Sequence, residues 1–277
     1  MPVITTNTAA NSALRYLNVN SAQEASSISK LASGSRITQA SDDAAGLAIG
    51  TRVQSDVTVL QQASTNASHG SSILQAADGG AARISDILQR LKSLTAQSLS
   101  GAVTDTERTY IDAEYQQLID EIDDIATGTR FNGQSLLDGS SDFAATAGVD
   151  FLVGTDAAVD MLTVNIDSLD TTTLTVAGTS VGSATAAQNA ATAIDVAIDL
   201  VSTERAELGA QMSRFDYRGQ MIETSIENLD AAQSAIMDVD VAEEQSRLAA
   251  AEVLTQSSIS ALAHANDMSQ RLLDLMR

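Results

Sequence analysis

Side chains that commonly do chemistry are few in this chain, and their spacing assigns them no catalysis. His69 and His264 are its only histidines. Neither sits in the His-Glu-Xaa-Xaa-His pattern that turns two imidazoles to one helix face for zinc. No cysteine is present to complete a tetrahedral site or to form a disulfide. Asp120, Glu121, Asp123 and Asp124 concentrate carboxylate as calcium sites do, but without the central glycine of a calcium loop. A solvated helix face accounts for them. Asn66-Ala67-Ser68 has the form of an N-glycosylation acceptor, yet it falls on a helix expected to be packed. The expectation is therefore of no enzyme, with no catalytic residue, no metal ligand, no cofactor-binding residue and no cofactor.

Composition narrows the partners. The chain has 277 residues, 44% of them hydrophobic but only 3% aromatic, with no Trp. A core made of Ala, Leu, Ile and Val suits closely spaced helices better than a deep ligand pocket. The net charge of −21, with lysine only at Lys30 and Lys92, leaves no basic face to displace counterions from nucleic acid or to meet an anionic membrane. No stretch approaches the ~18 apolar residues of a membrane span. Met1 to Asn7 has neither the basic nor the apolar part of a signal peptide, so export, if it occurs, is expected to use dedicated machinery.

The elements that position these residues are long helices. From Ala191 to Ile236 apolar residues recur at three- and four-residue steps: Ala191, Ile194, Ile198, Val201, Leu208, Met212, Phe215, Ile222, Ile226, Leu229 and Ile236. Arg205, Gly219 and Gln233 interrupt the run. Such a repeat lays one seam along a helix and requires a partner. Matching seams run from Ile49 through Val53, Leu60, Ala63, Ala67, Leu74, Ala77, Ala81, Ile84 and Leu88 to Leu91, and through Ile111, Tyr115, Leu118, Ile122 and Ile125.

An amphipathic helix is predicted over about 5–31, stopped by Gly34. Ser41 is placed as the N-cap of the next, which runs to about Ser100. Thr104 to Glu107 reads as a capping box for a third helix ending near Gly128. Between 130 and 182 the heptads vanish and short alternating runs replace them, Met161 to Ile166 and Thr173 to Val176, with a hairpin turn at Phe131-Asn132-Gly133-Gln134. Helix resumes near Ser183, and a last one runs from about Val239 to the end. That last helix has two apolar stripes, one with Val241, Leu248, Ile259, Leu262, Leu273 and Met276, the other with Leu254, Ala261, Ala265, Met268, Leu272 and Leu275. A face so wide is either buried in its own domain or covered by other copies. The predicted fold class is mainly α: an antiparallel coiled-coil rod of long helices from both halves of the chain, with a small β-hairpin-rich segment in the middle.

Four separated motifs resemble those of bacterial flagellins. They are Leu31-Ala32-Ser33-Gly34-Ser35-Arg36-Ile37 followed by Ser41 to Ile49; Arg130-Phe131-Asn132-Gly133-Gln134-Ser135-Leu136-Leu137-Asp138-Gly139; Arg205-Ala206-Glu207-Leu208-Gly209-Ala210; and Arg271-Leu272-Leu273-Asp274-Leu275-Met276-Arg277. The resemblance implies a short flagellin without large outer domains, a secreted subunit of the extracellular flagellar filament that drives motility as a helical propeller. It divides the chain into 1–40 and 237–277 as the two halves of an inner coiled coil, D0. Residues 41–129 and 183–236 become the rod helices of a next shell, D1, and 130–182 its β segment. The alternatives are a hook–filament junction protein and, from another class, a secreted adhesin or binding module.

The implied partners are copies of itself, other flagellins, a type III export apparatus and chaperone, a filament cap and hook-associated proteins. No nucleic acid, membrane or small-molecule substrate is expected. Inter-subunit packing in D0 is assigned to Leu14, Leu17, Ile28, Leu31, Leu248, Leu254, Ile259, Leu262, Met268, Leu272, Leu273, Leu275 and Met276. Gln89, Arg90, Leu94 and Glu114 correspond to a rod contact and to the patch read by an innate immune receptor, with Ser93 and Thr95 departing from the recognised form. Arg15, Arg36, Arg52, Arg247 and Arg271 are candidates for ion pairs between subunits, and assembly is expected to strengthen as salt screens the remaining negative charge. The β segment either contacts the next subunit or caps its own helices.

Overall fold

The computed structural model of the chain describes residues 6–144 and 148–274, with side chains described as far as residue 271. The elements are α1 (Thr8–Ser33), α2 (Ala44–Ser98), α3 (Asp105–Gly128), β1 (Arg130–Phe131), β2 (Gln134–Ser135), β3 (Val149–Leu152), β4 (Met161–Val164), α4 (Ala184–Met237) and α5 (Val241–Asp274). Their contacts define two compact units. One comprises the described residues up to Ser55 together with those from Asn228 onward; the other is Asp56–Glu227.

Local chemistry explains where the helices start and stop. The Asn7 side chain accepts from Ala10 N at 2.9 Å, and α1 ends at Gly34, whose φ of +72° suits a residue without a Cβ. Ser41 does not cap α2. The Asp42 carboxylate accepts from Thr38 N and Gln39 N, both at 3.1 Å, closing a turn just before the helix. Those backbone donors hold its pKa below the usual carboxylate value. The cap falls to Asp43, whose Oδ1 accepts from Gly46 N at 2.9 Å. At α3 the capping box is complete: Glu107 N donates to Thr104 Oγ1 and Thr104 N to Glu107 Oε2. Asp240 caps α5 by accepting from Ala242 N and Glu243 N.

In Asp56–Glu227 the seams close on one another. Leu60, Ala63, Ala67, Leu74, Ala77, Ala81, Ile84, Leu88 and Leu91 of α2 are all buried, joined by Val57 and Ile73. Tyr115, Ile119, Ile122 and Ala126 are the buried positions of α3. On α4 the buried positions are Ala187, Ala190, Ile194, Ala197, Val201, Glu204, Leu208, Phe215 and Ile222. One half of the predicted repeat holds at Ile194, Val201, Leu208, Phe215 and Ile222. The other half moves back one residue, from Ala191, Ile198 and Arg205 to Ala190, Ala197 and Glu204. The apparent interruption at Arg205 is thus a surface position, and its Nε reaches Asp78 of α2 at 2.8 Å. Lys92–Asp195 at 2.6 Å and the close approach of Gly70 to Phe215 complete an antiparallel order, rising on α2 as it falls on α4. Ile49, in the other unit, is exposed, because the inner position there is Gly50, which lies against Met237.

The 130–182 segment is less strand-rich than predicted. β1 and β2 pair across Asn132 and Gly133, whose φ values of +49° and +85° are those of a tight hairpin turn. β3 and β4 form a second antiparallel pair, with Leu162 and Val164 inward and Met161 and Thr163 outward. Thr173 to Val176 is a succession of turns: Leu174 N donates to Asp170 O and Val176 N to Thr171 O. Thr175 adopts a φ of +57°, so Leu174 and Val176 are both buried without a strand between them.

Candidate assembly surface

The unit made from the two chain ends is where the apolar balance is unusual. Along α1 and its N-cap side the covered positions at seam spacing are Ala10, Ala13, Leu17, Asn20, Glu24, Ser27 and Leu31. Along α5 they are Glu244, Leu248, Ala251, Thr255, Ser258, Leu262, Ala265 and Ser269. The three-and-four spacing is that of a coiled-coil seam, but most of the side chains are small or polar. Polar ties run through it. Asn20 Nδ2 donates to Ser258 Oγ at 3.0 Å, and Asn7 Nδ2 to Ala265 O at 2.9 Å and Ser269 Oγ at 2.7 Å. At the other end the 34–36 and 236–239 segments clasp. Arg36 N donates to Met237 O at 2.6 Å and Val239 N to Gly34 O at 3.1 Å.

With small residues at most inner positions, many of the large ones lie outside. Leu14, Ile28, Leu254, Ile259 and Met268 are about half exposed, and Val253 is 68% exposed. Leu17, Leu31, Leu248 and Leu262 are half-buried within the pair. The side chains of Leu272 and Leu273, and residues Leu275 and Met276 entirely, lie outside the described residues. Tyr16, Val19, Val241 and Val253 share the exposure, and of these the apolar periodicity includes only Val241. The available signal is the row of small residues at seam spacing, which marks the inner face and so leaves the remaining large apolar side chains outward.

The five arginines differ in their surroundings. Arg247 is held within α5 by Glu243 at 2.6 Å and Glu244 at 3.5 Å. Arg36 Nη2 donates to Ile236 O at 2.7 Å, and the Arg15 guanidinium lies 5.6 Å from the centre of the Tyr16 ring. Arg52 and Arg271 are exposed.

In the other unit the predicted patch is divided. Gln89, Arg90 and Glu114 are exposed, with Arg90 Nε and Nη2 both donating to Glu114 Oε1, at 2.9 and 2.5 Å. Leu94 is only 2% exposed and belongs to the core. His69 and His264 are both exposed, and among the described residues no group of three His, Cys, Asp or Glu side chains is placed to hold a metal. The acidic cluster is not all solvated. Asp123 accepts from Thr171 N and Oγ1, both at 2.9 Å, and nearby Asp112 accepts from Val181 N at 2.7 Å. These carboxylates tether the turns of 171–181 to α3. Asn66 is engaged as well, donating to Leu152 O at 3.0 Å.

A helical protein whose terminal helices leave this many large apolar side chains outward is of the associating class. The profile described as the bacterial flagellin N-terminal helical region matches residues 4–142, and that of the bacterial flagellin C-terminal helical region matches 191–276. The "Flagellar filament 30.7 kDa core protein" of Treponema maltophilum is 36% identical, with 99% of each chain covered. A flagellin of Halalkalibacterium halodurans is 35% identical over 99% of this chain and all of its own length. A solved structure described as a putative flagellar hook-associated protein, from Vibrio parahaemolyticus, shares the fold with a TM-score of 0.59 at 15% identity, covering 71% of this chain and all of that one. The chain belongs to the bacterial flagellin family, and the likeness runs from one end of it to the other.

Proposed function

We infer that the chain is a structural subunit of the bacterial flagellar filament and polymerises with copies of itself through the outward faces of α1 and α5. The observation that carries this is the terminal pair, in which Leu14, Ile28, Leu254, Ile259 and Met268 stay about half exposed while Ala, Ser, Thr and Asn fill much of the seam. Ordering a residue costs roughly 1–2 kcal/mol. A seam of small side chains returns little against that, whereas covering each large half-exposed side chain adds about 1 kcal/mol. Folding of the ends and polymerisation are then one event: the helices of 1–40 and 237–277 form D0 as neighbours cover them. Residues 41–129 and 183–236 supply the helices of D1 and 130–182 its β segment. Full-length similarity to flagellins supports filament over hook–filament junction, since the solved hook-associated structure supports the fold alone.

On the same reading the subunit works outside the cell, exported by a type III apparatus with a chaperone and added beneath a cap, with hook-associated proteins at the filament base. Its role is structural, without catalysis. Chains lacking 1–40 or 240–277 are expected to stay helical and cooperative on heating yet give no filaments by electron microscopy. Filaments from either truncated chain overturn the proposal. So does full hydrogen-exchange protection of α1 and α5 in dilute, monomeric protein.

A further inference from the structure

The buried carboxylate of Glu204 has no use in the assembly surface and no place in an apolar seam. It lies between Val201 and Leu208 at a core position of α4 and is only 4% exposed. Its Oε1 accepts from Asp167 N at 3.1 Å, so the segment just beyond β4 is pinned to α4 by that bond. A cavity of about 80 Å³ adjoins it, walled by Ser168, Leu169, Leu174 and Leu200.

The charges that act on it are of its own sign, and the one adjacent cation is turned to another partner. Asp167 overlies it, and Glu207 follows nearly one turn along α4. On α2, Asp78 is taken by Arg205, the residue next to Glu204. On α3, Asp123 is occupied by Thr171 of the overlying segment. Among the described residues no ion pair includes Glu204.

We propose that Glu204 is a proton-operated latch: protonated, it seats the 165–176 segment on α4, and ionised, it loosens that segment. Burial, reinforced by Asp167 and Glu207 against the opposing Asp167 N–H, pushes its pKa up to about 7 from an ordinary 4.5. The folded chain therefore holds a proton that the unfolded chain has already released. Stability contributed by this group falls as pH rises from about 4.5 to about 7 and is level above that. What loosens is defined by the bonds the segment makes. Ile166 N donates to Phe143 O, Leu169 N to Leu137 O, and Val176 N to Thr171 O.

The test is hydrogen exchange of the full chain in dilute solution at about pH 5.5 and about pH 8.5, on either side of the titration, each corrected for intrinsic exchange. Opening at the amides of Asp167, Leu169 and Val176 is expected to be roughly tenfold or more greater at the higher pH. The reference amides are those of Ile84, Leu88 and Leu91 in the buried seam of α2, where no change with pH is expected. Glu204→Gln keeps an acceptor for Asp167 N and removes the titration, and it is expected to make the opening of 165–176 independent of pH. The proposal is overturned if wild type shows no pH dependence confined to this segment, or if Glu204→Gln retains it. Should Glu204→Gln fail to fold, the wild-type profile decides alone: a rise with pH at these amides supports the latch, and a flat profile refutes it. The measurement needs no filament, so its failure leaves the assembly reading untouched.

Discussion

In Asp56–Glu227 the seams close on large aliphatic side chains, from Leu60 to Leu91 along α2 and at Ile194, Val201, Leu208 and Ile222 along α4, although Val196, Leu200 and Met221 of α4 stay exposed. In the terminal pair many of them are outside, while Ala13, Asn20, Ser27, Ala251, Thr255 and Ser258 take inner positions. Both units are built of long helices with three-and-four spacing. What differs is which side chains occupy the seam, and that decides whether a helix pair is satisfied by its own chain or by copies of it. The first unit closes on itself; the second, on the proposed reading, is half of an interface.

Substitutions that exchange these roles test the contrast most strongly. Leu254→Asp or Ile28→Asp is expected to abolish filaments in electron micrographs while shifting the monomer's unfolding by less than about 0.5 kcal/mol, as exposed positions do. Leu88→Ala should act on the subunit itself, costing about 2–5 kcal/mol in denaturant unfolding because a fully buried side chain leaves a cavity. If Leu254→Asp destabilises the monomer as much as Leu88→Ala, the division between the units fails.

Smaller effects sharpen it. A Cβ on Gly70 would lie 2.6 Å from Phe215 Cε1, and Phe215 is fixed edge-on against Phe151 at 5.8 Å. Gly70→Ala is therefore expected to cost about 1–3 kcal/mol in thermal unfolding. Thr104→Ala removes one side of the capping box and should cost about 1 kcal/mol, read as a lower unfolding midpoint with filaments unchanged.

Much of this is legible in the residues. The heptads of α2 from Leu60 to Leu91, the capping box at Thr104 and the Asn132-Gly133 turn are local signals, and the structure keeps each of them. What escapes depends on contacts between distant segments. Asp123 reads as a surface acid and Asp112 and Glu204 are not singled out at all, since nothing nearby in sequence announces the backbone N–H groups of Thr171, Val181 and Asp167 that occupy them. The shift of the α4 seam to Ala197 and Glu204 escapes for a related reason: Ile198 is the larger apolar neighbour of Ala197, and a carboxylate such as Glu204 is not counted as core. In the terminal helices the large residues Leu14 and Leu254 draw attention in the same way, and the polar seam positions Asn20, Ser27, Thr255 and Ser258 do not.

Asn7 and Asn20, at the start and in the middle of the first helix, have a consequence for order along a polymer. Small side chains alone would let two helices slide, as a smooth seam has many nearly equal settings. Asn7 on Ala265 O and Ser269, with Asn20 on Ser258, favours one setting. A slip of one turn would break these bonds, and because both amides are only half-buried the cost is about 0.5–1.5 kcal/mol for each bond lost. On the proposed reading every copy then offers its neighbours the same outward side chains, which is the condition for a lattice that repeats without error over very many additions.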